Sequence, residues 1–297
     1  MIMAQFDQKT ANTIERVPFV ITDEERQLLP RFANRPPSAV LPQESSGLTR
    51  RYSPYPDRYT FEPSERWVRA VVGDVAVVDS RSQILVWEPR HKVPEYGFPV
   101  EHVRTDLLTP SAGVPEPGVF YRPRTTDVKW FDLHLGERHI PFAAWAWNVP
   151  GLEGYLGVNW FLGVLDGWFE EDQPVMTHPR DPHNRVDALP SSRHVTVTLN
   201  GRVIAETHDP VVVYETGLPT RYYFPVEAVD FSRLTETDDW SECPYKGYSD
   251  RYWRPSEGGD LIAWSYSDPR PELSVIAGRI AFYNERVELR VDGETAT

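Results

Sequence analysis

Glu215, Lys246 and Cys243 are the side chains whose types and settings best suit acid–base, anion-holding or nucleophilic chemistry. Glu215 follows Val211 and Val213 at even spacing, so in a regular strand its carboxylate projects to the face of those apolar side chains. A carboxylate in such surroundings can acquire a raised pKa and act as a general acid or base. In the competing reading the strand has ended, and Glu215 caps a turn or pairs with Arg221. Lys246 stands in Cys243-Pro244-Tyr245-Lys246-Gly247 and is one of only four lysines in a chain with 27 arginines. A partly desolvated lysine can act as a base, form a Schiff base, or hold a carboxylate or phosphate as a point charge. Anion binding is the favoured role, set against an ordinary loop ion pair. Cys243 becomes a nucleophile only if a neighbour lowers its pKa, and most lone cysteines are small buried hydrophobes.

Around these groups stand candidate walls and clamps. Tyr222, Tyr223, Tyr245, Trp264 and Tyr266 offer flat apolar surfaces with polar tips, which suit a ring-bearing or sugar-like ligand. Trp264 and Tyr266 share a face by strand parity. The plainer alternative is that these rings fill a core between sheets. Arg221 beside the tyrosines can clamp an anion bidentately or form a surface ion pair. The eight histidines make no strong metal pattern: His134 and His139, like His178 and His183, are five apart and match no helix-borne ligand spacing. No Walker loop, dinucleotide fingerprint or nucleophile elbow is present, so neither metal nor cofactor is expected.

The elements that must position these residues are strands. From Arg66 onward, short runs rich in Val, Ile, Trp and Tyr alternate with Gly, Pro and Asp at intervals too short for helices. Asn200-Gly201 between Val195–Leu199 and Arg202–Ala205 predicts a hairpin with a type I′ turn, and Asp292-Gly293 predicts another after Val287–Val291. An internal repeat organises the rest. Phe98-Pro99-Val100-Glu101-His102-Val103 matches Phe224-Pro225-Val226-Glu227-Ala228-Val229. Val86-Trp87-Glu88 answers Val213-Tyr214-Glu215, and Ala144-Trp145-Ala146-Trp147 answers Ala263-Trp264-Ser265-Tyr266. Aligning Trp130-Phe131 with Tyr252-Trp253 sets Tyr121-Arg122-Pro123-Arg124-Thr125 opposite Cys243 to Gly247, so the first copy has Arg124 in place of the lysine and lacks the thiol. The expected fold is all-β: two tandem homologous compact β domains with an extended N-terminal arm. Residues 1–60 form the extension, with one short helix capped by Thr22 and Glu25; 61–175 form the first repeat, 176–189 a linker, and 190–297 the second repeat.

Glu215-Thr216-Gly217-Leu218-Pro219-Thr220-Arg221-Tyr222-Tyr223, then Cys243 to Gly247, Ala263 to Tyr266, and Ile276 to Val287 together resemble the domain of unknown function 427 family in tandem form. That resemblance implies a compact, predominantly β fold for each copy and no settled activity. A nucleotidyltransferase label attached to the family finds neither a phosphate-cradling loop nor a metal-binding aspartate pair here. The formal charge of −13 opposes nonspecific binding to nucleic acid or anionic membranes, and one cysteine excludes an intrachain disulfide framework. With no secretory pattern and no apolar run of spanning length, the chain is expected to be cytoplasmic. The functional expectation is a cofactor-independent small-molecule enzyme or enzyme-like pocket in the second repeat, acting on a polar or anionic metabolite. Its rival is a noncatalytic ligand-binding or protein-interaction module; reaction class and oligomeric state stay open.

Overall fold

A computed structural model describes residues 58–89, 91, 93–115, 128–160, 164–175 and 177–296. The expected N-terminal arm, its capped helix and the first copy's counterpart of the Cys243 motif, residues 121–125, lie outside the described residues. The chain forms two compact units that part between Asp181 and Pro182. No helix among the described residues is long and apolar enough to cross a membrane.

Each unit has the same plan among the described residues. In the second, a seven-stranded antiparallel sheet runs in the order Val186–Pro190, Val211–Glu215, Arg221–Phe224, Ile280–Phe282, Ala263–Ser265, Arg251–Pro255 and Leu234–Thr237. A four-stranded sheet runs Arg202–Thr207, Val195–Leu199, Glu288–Val291 and Glu294–Thr295. The first unit repeats both orders, its larger sheet being Thr60–Pro63, Ile84–Trp87, Glu95–Pro99, Tyr155–Val158, Arg138–Trp147, Val128–Leu135 and Leu108–Pro110. The fold is therefore all-β in two tandem halves, as the repeat implies.

Local chemistry accounts for the shared plan. Asn200 and Gly201 both take positive φ, 49° and 76°, so their turn carries the twist that a tight hairpin needs. Asp292 and Gly293 do the same at 54° and 87°. The repeated Phe-Pro-Val ends a strand and starts a short 3-10 turn in both units, at Val100–His102 and Val226–Ala228. After it Val103 bridges Val78 and Val229 bridges Ala205, which ties the larger sheet to the smaller one. Phe98 and Phe224 are fully buried between the sheets.

Period-2 alternation then divides the larger sheet of the second unit into two buried faces. Val212, Tyr222, Phe224, Trp253, Ala263, Ile280 and Phe282 pack with Val195, Val197, Leu289 and Val291 to make the inter-sheet core. Val211, Val213, Tyr223, Tyr252, Trp264, Tyr266 and Ala281 occupy the opposite face. A second face that is also apolar cannot be left to water. Leu273 and Ile276, from the 3-10 segment Pro271–Ile276, pack upon it, and so does Cys243. Ser241–Cys243, Gly247–Ser249 and Asp268–Pro269 form a separate three-stranded sheet beside it.

Phe224 tests the core assignment because it meets Phe282 edge to face at 5.5 Å and has no exposure. Phe224→Ala is expected to cost about 3–5 kcal/mol in urea unfolding of the second unit, by lost transfer energy and residual cavity. Tyr214→Ala, on the same sheet but 44% exposed, is expected to cost roughly 0.5 kcal/mol or less.

Candidate functional site

The site is built on the second face of that sheet. Val211–Glu215 runs antiparallel to Arg221–Phe224 with Val211 opposite Tyr223 and Val213 opposite Arg221. Val211, Val213, Glu215, Arg221 and Tyr223 therefore share a face. Trp264 sits opposite Tyr252 on one neighbour and Ala281 on the other, adding its ring to the same surface.

Lys246 arrives from the other side. Cys243 pairs with Gly247, so Pro244, Tyr245 and Lys246 form the three-residue tip of a hairpin. Gly247 takes φ +110°, and a Cβ there would stand 2.5 Å from the Asp268 carbonyl oxygen. Only glycine fits this approach. The Lys246 carbonyl accepts a hydrogen bond from the Arg270 amide at 2.9 Å, which fixes the tip against the next strand. Pinned in this way, the Lys246 ammonium donates to Glu215 Oε2. The two side chains retain about a tenth of their exposure, 11% and 10%. Asn184 Nδ2 donates to the other carboxylate oxygen at 3.5 Å.

Burial alone would lower the lysine's pKa, but Cys243, Glu215 and Tyr223, together with the hydrogen bond to Glu215, outweigh it and hold the ammonium above its ordinary range. Burial pushes the Cys243 thiol up, with Lys246 opposing and Glu215 reinforcing, so the sulfur is a neutral thiol near pH 7. Burial likewise raises Tyr223, Tyr252, Tyr266 and Tyr283. The face thus presents one ammonium, one carboxylate partner and a set of protonated phenols.

Arg221 donates two hydrogen bonds to Glu285, at 2.9 and 2.8 Å, and its guanidinium lies 5.7 Å from the Trp264 and Tyr283 ring centres. Its charge is committed to Glu285. Trp264 meets Tyr223 edge-on at 6.2 Å and Tyr283 at 4.4 Å. Tyr245 is half-buried at the hairpin tip. Tyr222 does not join this group: adjacent to Tyr223 on one strand, it faces the inter-sheet core. The structure thus brings together Glu215, Arg221, Tyr223, Cys243, Lys246, Trp264 and Tyr266, and leaves Tyr222 apart.

Tyr252, Tyr283 and Asn184 belong to the site but were not among the sequence candidates. Strand parity with Trp264 was a usable signal for Tyr252. Asn184 gave none, since it lies in a segment whose composition reads only as a linker.

In the first unit Glu88 is almost fully buried, but Trp130, Trp145 and Trp147 stand where the second has Tyr252, Trp264 and Tyr266. Gly157 replaces Ala281, and a Cβ on it would come within 2.1 Å of Trp145. Glu95, opposite Val86, holds the position of Arg221. Burial raises the Glu95 pKa strongly, against the hydrogen bond from Trp160 and with Glu88 adding to the rise. Among the described residues, this face of the first unit thus carries the indoles of Trp130 and Trp147 where the second has phenols, and the Glu95 carboxyl group where the second has Arg221.

The raised groups set a pH dependence. A lysine, thiol or phenol whose folded pKa exceeds its unfolded value binds its proton more strongly when folded, so stability falls as pH climbs above the unfolded value. Unfolded values lie at about 8.5 for Cys, 10 for Tyr and 10.4 for Lys. The urea midpoint of the second unit is accordingly expected to fall from about pH 9 and steeply beyond pH 10. Tyr223→Phe removes one contributor and should flatten that slope; an unchanged slope would show that the face does not hold the phenol protonated.

A family model described as Domain of unknown function (DUF427) matches the chain twice, over residues 60–164 and 187–293. No curated protein matches the chain.

Proposed function

We propose that this chain, which belongs to the DUF427 family and carries that domain twice, uses its second copy as a cofactor-independent acid–base site for a polar or anionic small molecule. The observation that carries the reading is the Lys246–Glu215 ion pair, placed on a phenol-lined face instead of at the open surface. A buried ion pair contributes little stability over an apolar replacement, whereas removing one partner is costly. Such groups are a common mark of a functional site.

The chemistry follows from the charges. Lys246 remains an ammonium and offers three donors to a carboxylate, phosphate or developing oxyanion. A ligand anion that takes over those donors frees Glu215 to accept a proton from the ligand and return it at a neighbouring atom. Isomerisation, elimination and hydrolysis all use this pairing of a base with a fixed cation. Tyr223, Trp264 and Tyr266 are buried beneath the pair and form its apolar floor, with Arg221 locked by Glu285 beside them. Cys243 packs as a neutral thiol and takes no covalent role in this reading.

One observation favours the noncatalytic alternative: the two cations of the face, Lys246 and Arg221, each already have a carboxylate partner. A binding or interaction module needs no free cation and can use half-buried Tyr245.

A metabolite-library thermal-shift screen of wild type against Lys246→Ala separates the readings. Ligand binding to the native state raises the melting temperature, and a small-molecule site at Lys246 predicts hits that disappear in the variant. For a hit that is turned over, Glu215→Gln is expected to reduce the rate about 10²–10⁴-fold, the usual contribution of a general base. Hits that persist unchanged in Lys246→Ala would remove the ligand from this site. Hits lost in the variant but never turned over would leave the binding module.

A further inference from the structure

We propose that Asp132, His134 and His139 in the first unit form a surface site for a divalent first-row transition-metal ion. The strands Val128–Leu135 and Arg138–Trp147 pair as a tight hairpin, with His134 directly opposite His139 and Leu135 opposite Arg138. Leu133 and Ile140 turn into the core, so both imidazoles turn outward. Asp132, two residues before His134, projects to the same side. A spacing of five residues, uninformative on a helix, becomes face-to-face contact across a hairpin.

The donor atoms of the three residues lie within 4.8 Å of one another. The two rings stack with centres 4.6 Å apart and planes 9° from parallel. His139 Nε2 is 2.9 Å from Asp132 Oδ2. That separation matches two neighbouring ligands on one ion, since bonds of about 2.0–2.2 Å place adjacent donors roughly 3 Å apart. His134 is exposed, with Nε2 3.0 Å from Thr109 Oγ1, and a nitrogen of its ring lies within 4.8 Å of the other two donors.

The carboxylate is held for this geometry. Asp132 Oδ1 accepts from the Ser111 hydroxyl and, at 3.0 Å, from the Phe142 amide. Phe142 takes a positive φ of 52° beside the irregular pairing between Phe131 and Leu133, which carries its amide to the aspartate. Outer donors of this kind orient a metal-binding carboxylate. Arg138, next to His139, spends its charge on Asp166 through two hydrogen bonds and so does not compete for Asp132. Two imidazoles and one carboxylate suit Zn²⁺ or Cu²⁺ far better than Mg²⁺ or Ca²⁺, which prefer all-oxygen sets. Three protein ligands leave further positions to water.

The test is calorimetric titration of the full chain with Zn²⁺ near pH 7.5. Wild type is expected to bind one equivalent, and His134→Ala and His139→Ala are each expected to weaken that binding at least tenfold. Both histidines are exposed, so melting without metal should remain as in wild type; Asp132→Asn, which keeps the shape of the carboxylate, provides a third variant. His194→Ala serves as the control, because His194 and His208 also stack, at 4.3 Å, in the second unit. Absence of saturable Zn²⁺ binding would overturn the proposal, as would wild-type affinity in the His134 and His139 variants or a loss confined to His194→Ala.

Discussion

A lysine ammonium cannot be carried onto a buried aromatic face unless a carboxylate meets it there, and this constraint organises the second unit. The cost of desolvating an unpaired ion is several kcal/mol. Glu215 supplies the compensation only because the strand Val211–Glu215 keeps its alternation to the last residue. Lys246 reaches it only because Gly247 adopts a backbone geometry closed to other residues and lets the hairpin tip approach Asp268. The three-stranded sheet, the Pro271–Ile276 segment and the phenols of Tyr223, Tyr252 and Tyr266 are all consistent with a face arranged around that pair.

The two units share one scaffold and, among the described residues, differ on the second face of the larger sheet. Their strand order is identical, and the Phe-Pro-Val corner is preserved in place and conformation. The sandwich core is therefore common to both. The other face of the larger sheet differs, with Trp130 and Trp147 in the first unit where Tyr252 and Tyr266 stand in the second, and glycine at 97 and 157 where Tyr223 and Ala281 stand. The indoles take the volume that phenols occupy elsewhere, and Gly157 gives room for Trp145. Among the described residues, packing is thus kept while the polarity of this face changes.

Much of this was legible from the chain. Asn200-Gly201 and Asp292-Gly293 demand positive φ at both turn positions, so the hairpins follow from local sterics alone. The even spacing of Val211, Val213 and Glu215 put the carboxylate on an apolar face, and Trp264 with Tyr266 followed the same parity. Parity also separates Tyr222 from Tyr223, a distinction that grouping them by chemical type had passed over. The bidentate grip of Glu285 on Arg221 spans 64 residues and arises from sheet order, which local patterns do not encode. The approach of Asn184 to Glu215 arises in the same way, and so does the meeting of His134 and His139 across a bulged hairpin.

The central claim is that Glu215 and Lys246 are kept for chemistry and not for stability, and a double-mutant cycle in urea tests it most directly. Glu215→Met and Lys246→Met singly should each destabilise the second unit by about 3–5 kcal/mol, since each strands a buried charge. The double variant, with two apolar side chains of similar length, should recover most of that loss or exceed wild type. A double variant as unstable as the sum of the single ones would contradict the account and make the pair a structural staple.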